Sequence, residues 1–321
     1  MTSINFCAIT FFVGFFIPNS TYALLLNNVE INNKTVYCSE RDILQVCLDK
    51  AKGRILVLFP GNYKSYMANI HSDTTVVIPR GVIIKLADDA SMPHKGGYVL
   101  GVRGTSDNYA KNVHIILNGI IDGNNKKHPY EKSGNEGISF GWVKDCSITG
   151  NGTVKNASGD GIDVDAVNNC YFEGVKVLNN SGTGFHFGSP RPIKASKNNI
   201  VLRVYAKGNG FKNLRNGLDL SWPNSGGATF INCTAVDNYR NYEIEAEGGV
   251  IVGSLSIDNG GVVKKDNFEG AEFAQINGID VTNKSWISKK HQILIKRDIK
   301  KLLNLIFNFE KYPKYLDPIK Y

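Results

Sequence analysis

Between Gly137 and Ala246 one short pattern returns five times. Its copies are Gly137-Ile-Ser-Phe-Gly141, Gly161-Ile-Asp-Val-Asp165, Gly184-Phe-His-Phe-Gly188, Gly217-Leu-Asp-Leu-Ser221 and Tyr242-Glu-Ile-Glu-Ala246. The intervals between their first residues are 24, 23, 33 and 25, and the long interval holds an insertion near residues 189–198. A second column runs Cys146-Ser-Ile, Cys170-Tyr-Phe, Ile200-Val-Leu and Cys233-Thr-Ala. A third places Asn156, Asn179, Asn209, Asn238 and Asn259 at turns. A unit this short cannot close a core alone, so its copies must stack.

Each unit reads as short strand, turn, short strand, turn, with apolar and polar residues alternating along the strands. Stacking at β spacing (about 4.8 Å) turns such units into long parallel sheets. Asn suits the turns because its side chain bonds local backbone and tolerates left-handed conformations. The predicted fold is all-β: a single-stranded right-handed parallel β-helix. A leucine-rich repeat is excluded, because a Leu consensus and interleaved helices are both missing.

The flanks complete this picture. Residues 39–51 read as an amphipathic helix with Ser39 as N-cap and Gly53 just past the end, suited to capping the first coil. Ile295, Ile299, Leu302, Ile306 and Phe309 fall on one stripe of a C-terminal amphipathic helix, with Lys296, Arg297, Lys300 and Lys301 off it. Residues 1–23 carry no charge and hold the short apolar run Phe6–Phe16, followed by Pro18 and Thr21-Tyr-Ala23. This reads as a secretory signal cut after Ala23, which implies a secreted or periplasmic protein. The predicted organisation is a signal at 1–23, a β-helix domain at 24–285 and a basic helical tail at 286–321.

Composition narrows the function. Hydrophobic residues are 42 % and charged residues 21 %, which excludes a disordered chain and a multispan membrane protein. The net charge is +8, but residues 286–321 hold nine Lys/Arg against three acids. The body is therefore near neutral and lacks the basic character that nucleic acid demands. The tail is a candidate for contact with acidic lipid or glycan. Five cysteines follow the signal. Cys38 and Cys47 flank the first helix as a candidate bridge; Cys146, Cys170 and Cys233 read as small inward hydrophobes.

Chemistry belongs on the outward strand faces. Ile162 and Val164 point one way and Asp163 and Asp165 the other. In register, one outward column reads Ser139, Asp163, His186, Asp219, Glu243, and its neighbour Gly141, Asp165, Gly188, Ser221, Glu245. His186 then lies between two carboxylates on adjacent rungs. Crowded carboxyls titrate late and a flanked His is held protonated, the ingredients of general acid/base work. Paired carboxyls about 5–10 Å apart are what glycoside hydrolysis requires. The same acids, Asp160, Asp163 and Asp165, also form a hard-oxygen cluster that suits Ca²⁺. Arg191, Lys194 and Arg215 are candidate contacts for an acidic sugar, and Trp142 and Trp222 for sugar stacking.

These residues resemble the pectate-lyase-like superfamily of right-handed β-helices, over roughly residues 38–265. Within it the look is that of family 28 glycoside hydrolases, the polygalacturonase group. Gly119-Ile-Ile-Asp-Gly-Asn124 is similar to that group's G-x-I-D-G-N turn, and Ser158-Gly-Asp-Gly-Ile-Asp-Val164 to its N-T-D-G-I-D-V coil. The resemblance places Asp160 on a catalytic aspartate. Later coils depart from it: Gly182-Thr183 stands for paired aspartates, Arg215-Asn216-Gly217 for Gly-His-Gly, and Glu243-Ile-Glu245 for a basic Arg-Ile-Lys.

The expected function is glycosidic-bond cleavage in a polysaccharide or oligosaccharide, without a cofactor. The catalytic candidates are Asp160, Asp163, His186 and Asp219. The substrate-binding candidates are Asp165, Arg191, Lys194, Arg215, Trp222, Glu243 and Glu245. A lyase or uronate epimerase, recruiting His186 with Arg191 or Ca²⁺, is the alternative enzyme. A non-catalytic glycan-binding adhesin is the alternative of another class.

Overall fold

A computed structural model describes residues 34–280 apart from 94, 131–133, 189–195, 197, 213–214, 221–227, 245–249, 258–270 and 277–278. The expected signal, the basic tail with its amphipathic helix, Asn259, Arg191, Lys194, Trp222 and Glu245 lie outside the described residues.

The chain winds through three parallel β faces. The first contains β1 (Thr35–Cys38), β2 (Ile55–Leu58), β5 (Thr74–Ile78), β8 (Ala110–Leu117), the second half of β10 (Gly134–Thr149), β13 (Tyr171–Glu173), β16 (Asn199–Leu202), β19 (Ala228–Ile231) and β22 (Val250–Ile257). The second contains β3 (Gly61–Ser65), β6 (Val82–Leu86), β9 (Ile120–Asp122), β11 (Thr153–Lys155), β14 (Lys176–Leu178), β17 (Tyr205–Lys207) and β20 (Thr234–Val236). The third contains β4 (Ala68–Asn69), β7 (Lys95–Arg103), the first half of β10, β12 (Ile162–Asn168), β15 (Phe185–Gly188), β18 (Asn216–Leu220) and β21 (Arg240–Ile244). Twisted parallel strands joined this way wind right-handed. Among the described residues only β23 (Ala271–Ile276) and β24 (Ile279–Asp280) pair antiparallel.

Each coil thus has three strands, where the sequence pattern suggested two. The uncounted strand is the second face, whose members Thr153-Val-Lys155, Lys176-Val-Leu178 and Tyr205-Ala-Lys207 span three residues each. Three residues are too few for alternation to register as a period.

The interior is a set of stacked side chains. Ile115, Ile148, Phe172, Val201 and Phe230 stack along the first face, Ile121, Val154, Val177 and Ala206 along the second, and Val102, Phe140, Val164 and Phe187 along the third. Where the faces meet, the ring of Phe172 lies edge-on to Phe185 and Phe187 at 5.1 and 5.7 Å. This favoured geometry adds to what area burial supplies.

The corners hold two separate Asn columns, one residue out of phase. Asn156 and Asn179 take left-handed φ of 55° and 54°, and the position continues as Gly208 and Asp237 at 69° and 49°. The next position is a buried amide ladder. Asn180 Nδ2 donates to Asn209 Oδ1 (2.9 Å), Asn209 Nδ2 to Asn238 Oδ1 (2.8 Å), and Asn238 Nδ2 to Asn241 Oδ1 (3.0 Å). The single Asn column expected from the sequence merges members of both.

The N-terminal cap helix α1 is shorter than expected, Leu44–Lys50. Ser39 does not cap it: its N–H and Oγ both bond Asp42 Oδ2 at 2.8 Å, closing a turn ahead of the helix. Leu44, Cys47 and Leu48 cover the open end of the coil. Cys38 and Cys47 form a disulfide with Cα atoms 5.9 Å apart, so the helix does not hold them apart. Cys146 and Cys170 are also bridged, across adjacent rungs 4.6 Å apart. Reading them as simple hydrophobes is thereby corrected: stacking puts equivalent residues at bridging distance. Cys233 is free and buried.

Candidate functional site

The third face carries the acidic column, and its register is set by backbone pairing. Ser139 pairs with Asp163, Asp163 with His186, His186 with Asp219, and Asp219 with Glu243. Ile162 and Val164 are fully buried inside, so period-two alternation turns Asp163 and Asp165 outward. The side chains of Asp160, Asp163, Asp165 and His186 are all half-buried. One ligand-type atom from each of Asp160, Asp163 and His186 lies within 4.8 Å of the other two.

Asp160 comes from the turn that leads into β12, not from a strand. It is held at both ends: its N–H donates to Glu136 Oε2, and its Oδ1 accepts the Thr183 N–H. Neighbouring glycines make the room. A Cβ at Gly182 would sit 2.3 Å from Asp160 Oδ1, and one at Gly159 would sit 2.6 Å from Glu136 Oε2. Gly188 likewise leaves space for Asp165, whose Oδ1 would lie 1.9 Å from a Cβ there.

Crowding and burial shape the titration of this face. Burial pushes the Asp163 carboxyl up to about 6; His186 opposes the shift, Asp160 adds to it, and Arg103 and Ser139 oppose it. Burial pushes Asp165 up to about 7, with the charge of Asp163 adding to the effect and His186 and Arg103 opposing it. Glu136 is pushed well above the usual carboxylate range, first by burial and then by Asp160 and Asp163. Protonated and ionised carboxyls therefore coexist here near neutral pH, the condition for acid/base exchange.

Two participants, Glu136 and Arg103, escaped sequence reasoning. Glu136 stands on β10 against Asp160. Arg103, on β7, donates Nη2–H to Ser139 Oγ at 2.9 Å, and Ser139 Oγ donates to Asp163 Oδ2 at 3.3 Å. The guanidinium lies over the Tyr98 ring, 5.0 Å from its centroid. Arg103 pairs with Gly141 across the rung, but its coil lacks the repeating pentapeptide that would have aligned it.

The remaining candidates are placed as follows. Arg215 is exposed in the turn before β18, the counterpart of the Asp160 turn. Glu243 is placed by register at the far end of the column. Trp142 sits at the bend of β10 with a left-handed φ of 56° and packs edge-on to Tyr109 at 5.5 Å.

No family model and no curated protein matches this chain. Among solved structures it is similar to ORF18 of Geobacillus virus E2, at 12 % identity and a TM-score of 0.56, over 74 % of this chain and 52 % of that one. The chain thus spans about half the length of the viral protein. It is also similar to PfbA, a surface adhesin of Streptococcus pneumoniae, at 13 % identity and a TM-score of 0.49, over 74 % and 72 % of the two chains. A family 28 exopolygalacturonase of Yersinia enterocolitica matches at 13 % identity and a TM-score of 0.40, over 79 % and 70 %. At such identities the likeness is one of architecture. With its three stacked parallel faces, the chain has the right-handed parallel β-helix fold.

Proposed function

We propose that this protein acts on a polysaccharide or oligosaccharide and cleaves glycosidic bonds by carboxyl acid/base chemistry on its third face. The observation that carries the reading is the meeting of Asp163, raised to about 6, with Asp160 and His186 inside one 4.8 Å cluster. In this reading Asp163 gives its proton to the leaving glycosidic oxygen. Asp160, as a carboxylate fixed by the Thr183 N–H, activates water or attacks the sugar carbon. His186, stacked between Asp163 and Asp219, tunes Asp163 through its charge. Arg215, Glu243 and Asp165 are proposed as sugar contacts, and Arg191, Lys194, Trp222 and Glu245 as further candidates for that role. The same reading makes the protein secreted or periplasmic, where such substrates occur.

Replacing both Asp163 and Asp219 by Asn tests this on a panel of neutral and uronate glycans. Loss of new reducing ends with binding retained supports the hydrolase. Absence of turnover by the unaltered protein on every glycan, with binding intact, points to an adhesin. A second enzymatic reading, lyase or uronate epimerase, uses His186 as the base, with Arg191 or Ca²⁺ as the charge neutraliser. An ultraviolet-absorbing unsaturated product, dependent on added Ca²⁺, would identify it.

A further inference from the structure

Arg103 has no part in the chemistry just described, yet it is one of the most constrained side chains on that face. The Tyr98 ring supports its guanidinium from β7, the strand they share. Gly141 on the next rung lets it lie flat across the sheet, since a Cβ there would sit 2.6 Å from Nη1. The side chain thereby reaches Ser139 Oγ, itself one rung from Asp163.

The direction of the hydrogen bonds follows from the groups involved. A guanidinium only donates, so Ser139 Oγ must accept from Arg103. Ser139 is fully buried, so its single hydrogen is cut off from water. Leaving a buried hydroxyl hydrogen unbonded is costly, so it seeks an acceptor within reach. Asp163 Oδ2 at 3.3 Å is the acceptor it finds. We propose that Arg103 is a positioning residue: it orients the Ser139 hydroxyl onto Asp163 Oδ2, leaving Oδ1 as the oxygen through which Asp163 exchanges its proton. This rests on the reading of Asp163 as proton donor.

The proton balance shows what the relay contributes. The O–H bond at Oδ1 breaks, its electron pair stays on Asp163, and the proton bonds the leaving glycosidic oxygen. The negative charge that appears is shared with Oδ2, where the Ser139 bond becomes charge-assisted and Arg103 stands behind it. An interaction that strengthens as the proton leaves lowers the barrier rather than merely tightening binding. The other charged or titratable groups facing Asp163 are Glu136 from β10, Asp160 from the turn before β12, Asp165 from β12 and His186 from β15.

The test is a carbon-13 NMR titration of the Asp163 carboxyl in the full chain, with no glycan present. Ser139→Ala and Arg103→Gln are each expected to raise its midpoint by about half a unit or more, because each removes a group that favours the carboxylate. Ser139→Thr, which keeps the hydroxyl, is expected to restore it. Unmoved or lowered midpoints, or a Thr variant as shifted as the Ala one, overturn the relay. If Ser139→Ala does not fold, Arg103→Gln against Arg103→Lys carries the same comparison, with Lys expected to lie between Gln and the native midpoint. Turnover is read separately. Midpoints that move in a protein cleaving no glycan uphold the relay and remove the hydrolase; unmoved midpoints in an active enzyme do the reverse.

Discussion

At the scale of single residues the site is defined by carboxyls that prefer to hold their protons. Asp163→Asn keeps an acceptor for Ser139 but removes the transferable proton. Turnover should fall by about 10²–10⁴-fold with the melting temperature preserved or raised. The same preference gives stability an unusual pH dependence. Asp163 and Asp165 rise on folding from 3.8 to about 6 and about 7. A carboxyl with a raised folded-state pKa stabilises fully below its unfolded pKa, and that contribution is lost as pH climbs through the folded value. These two groups should therefore cost the fold roughly 1–3 kcal/mol each between pH about 4 and about 7, less where solvent reaches them. Asp163→Asn/Asp165→Asn should unfold at higher urea than the native chain at pH 8, with the gap closed at pH 4. A gap that persists at pH 4 would place its origin elsewhere. The column Asp163–His186–Asp219 was legible in the sequence because strand alternation and a constant repeat jointly set its register. Arg103 and Glu136 were not. Arg103 sits in a coil without the pentapeptide, and Glu136 lies on β10 just ahead of the Gly137 pentapeptide.

At the scale of elements, the corners rather than the strands hold the rungs in phase. Asn209 shows how tightly. Its Oδ1 accepts the Asn180 N–H and Nδ2, and its Nδ2 donates to Val177 O and Asn238 Oδ1. Asn209→Leu fits the volume but strands a buried N–H and carbonyl, so equilibrium unfolding should record a loss of about 2–4 kcal/mol. The neighbouring corner obeys a different rule. Asn169 holds φ at 57° and bonds its neighbours' side chains at the surface, donating to Asp145 and accepting from Asn198. Asn169→Gly should change stability by a few tenths of a kcal/mol, while Asn169→Val should cost about 1–2 kcal/mol through backbone strain. Equal effects from the two would refute the conformational account. The sequence announced that Asn belongs at turns; it did not separate the left-handed Asn156–Asn179 column from the buried Asn180–Asn209–Asn238 ladder, because those two columns differ by one position.

At the scale of the whole molecule, each coil touches chiefly its neighbours, so covalent ties between coils carry unusual weight. Peptide mapping under non-reducing conditions should recover the pairs Cys38–Cys47 and Cys146–Cys170. Cys233, whose thiol burial pushes up to about 12, should resist alkylation until denaturant is added. Reduction should lower the unfolding free energy by about 3 kcal/mol for the longer loop alone. No loss on reduction would mean that the coils around Cys146 hold without the tie.

The sequence by itself determined that this chain winds, because a repeat of some two dozen alternating residues has no other way to bury its apolar face. It also determined which acids face outward, since alternation is local. The tertiary structure alone decided that a coil has three strands, that Cys146 meets Cys170, and that Arg103 reaches Asp163 through Ser139. Those contacts run between rungs, and their distances depend on how many residues each corner consumes, a quantity set by packing rather than by any single segment.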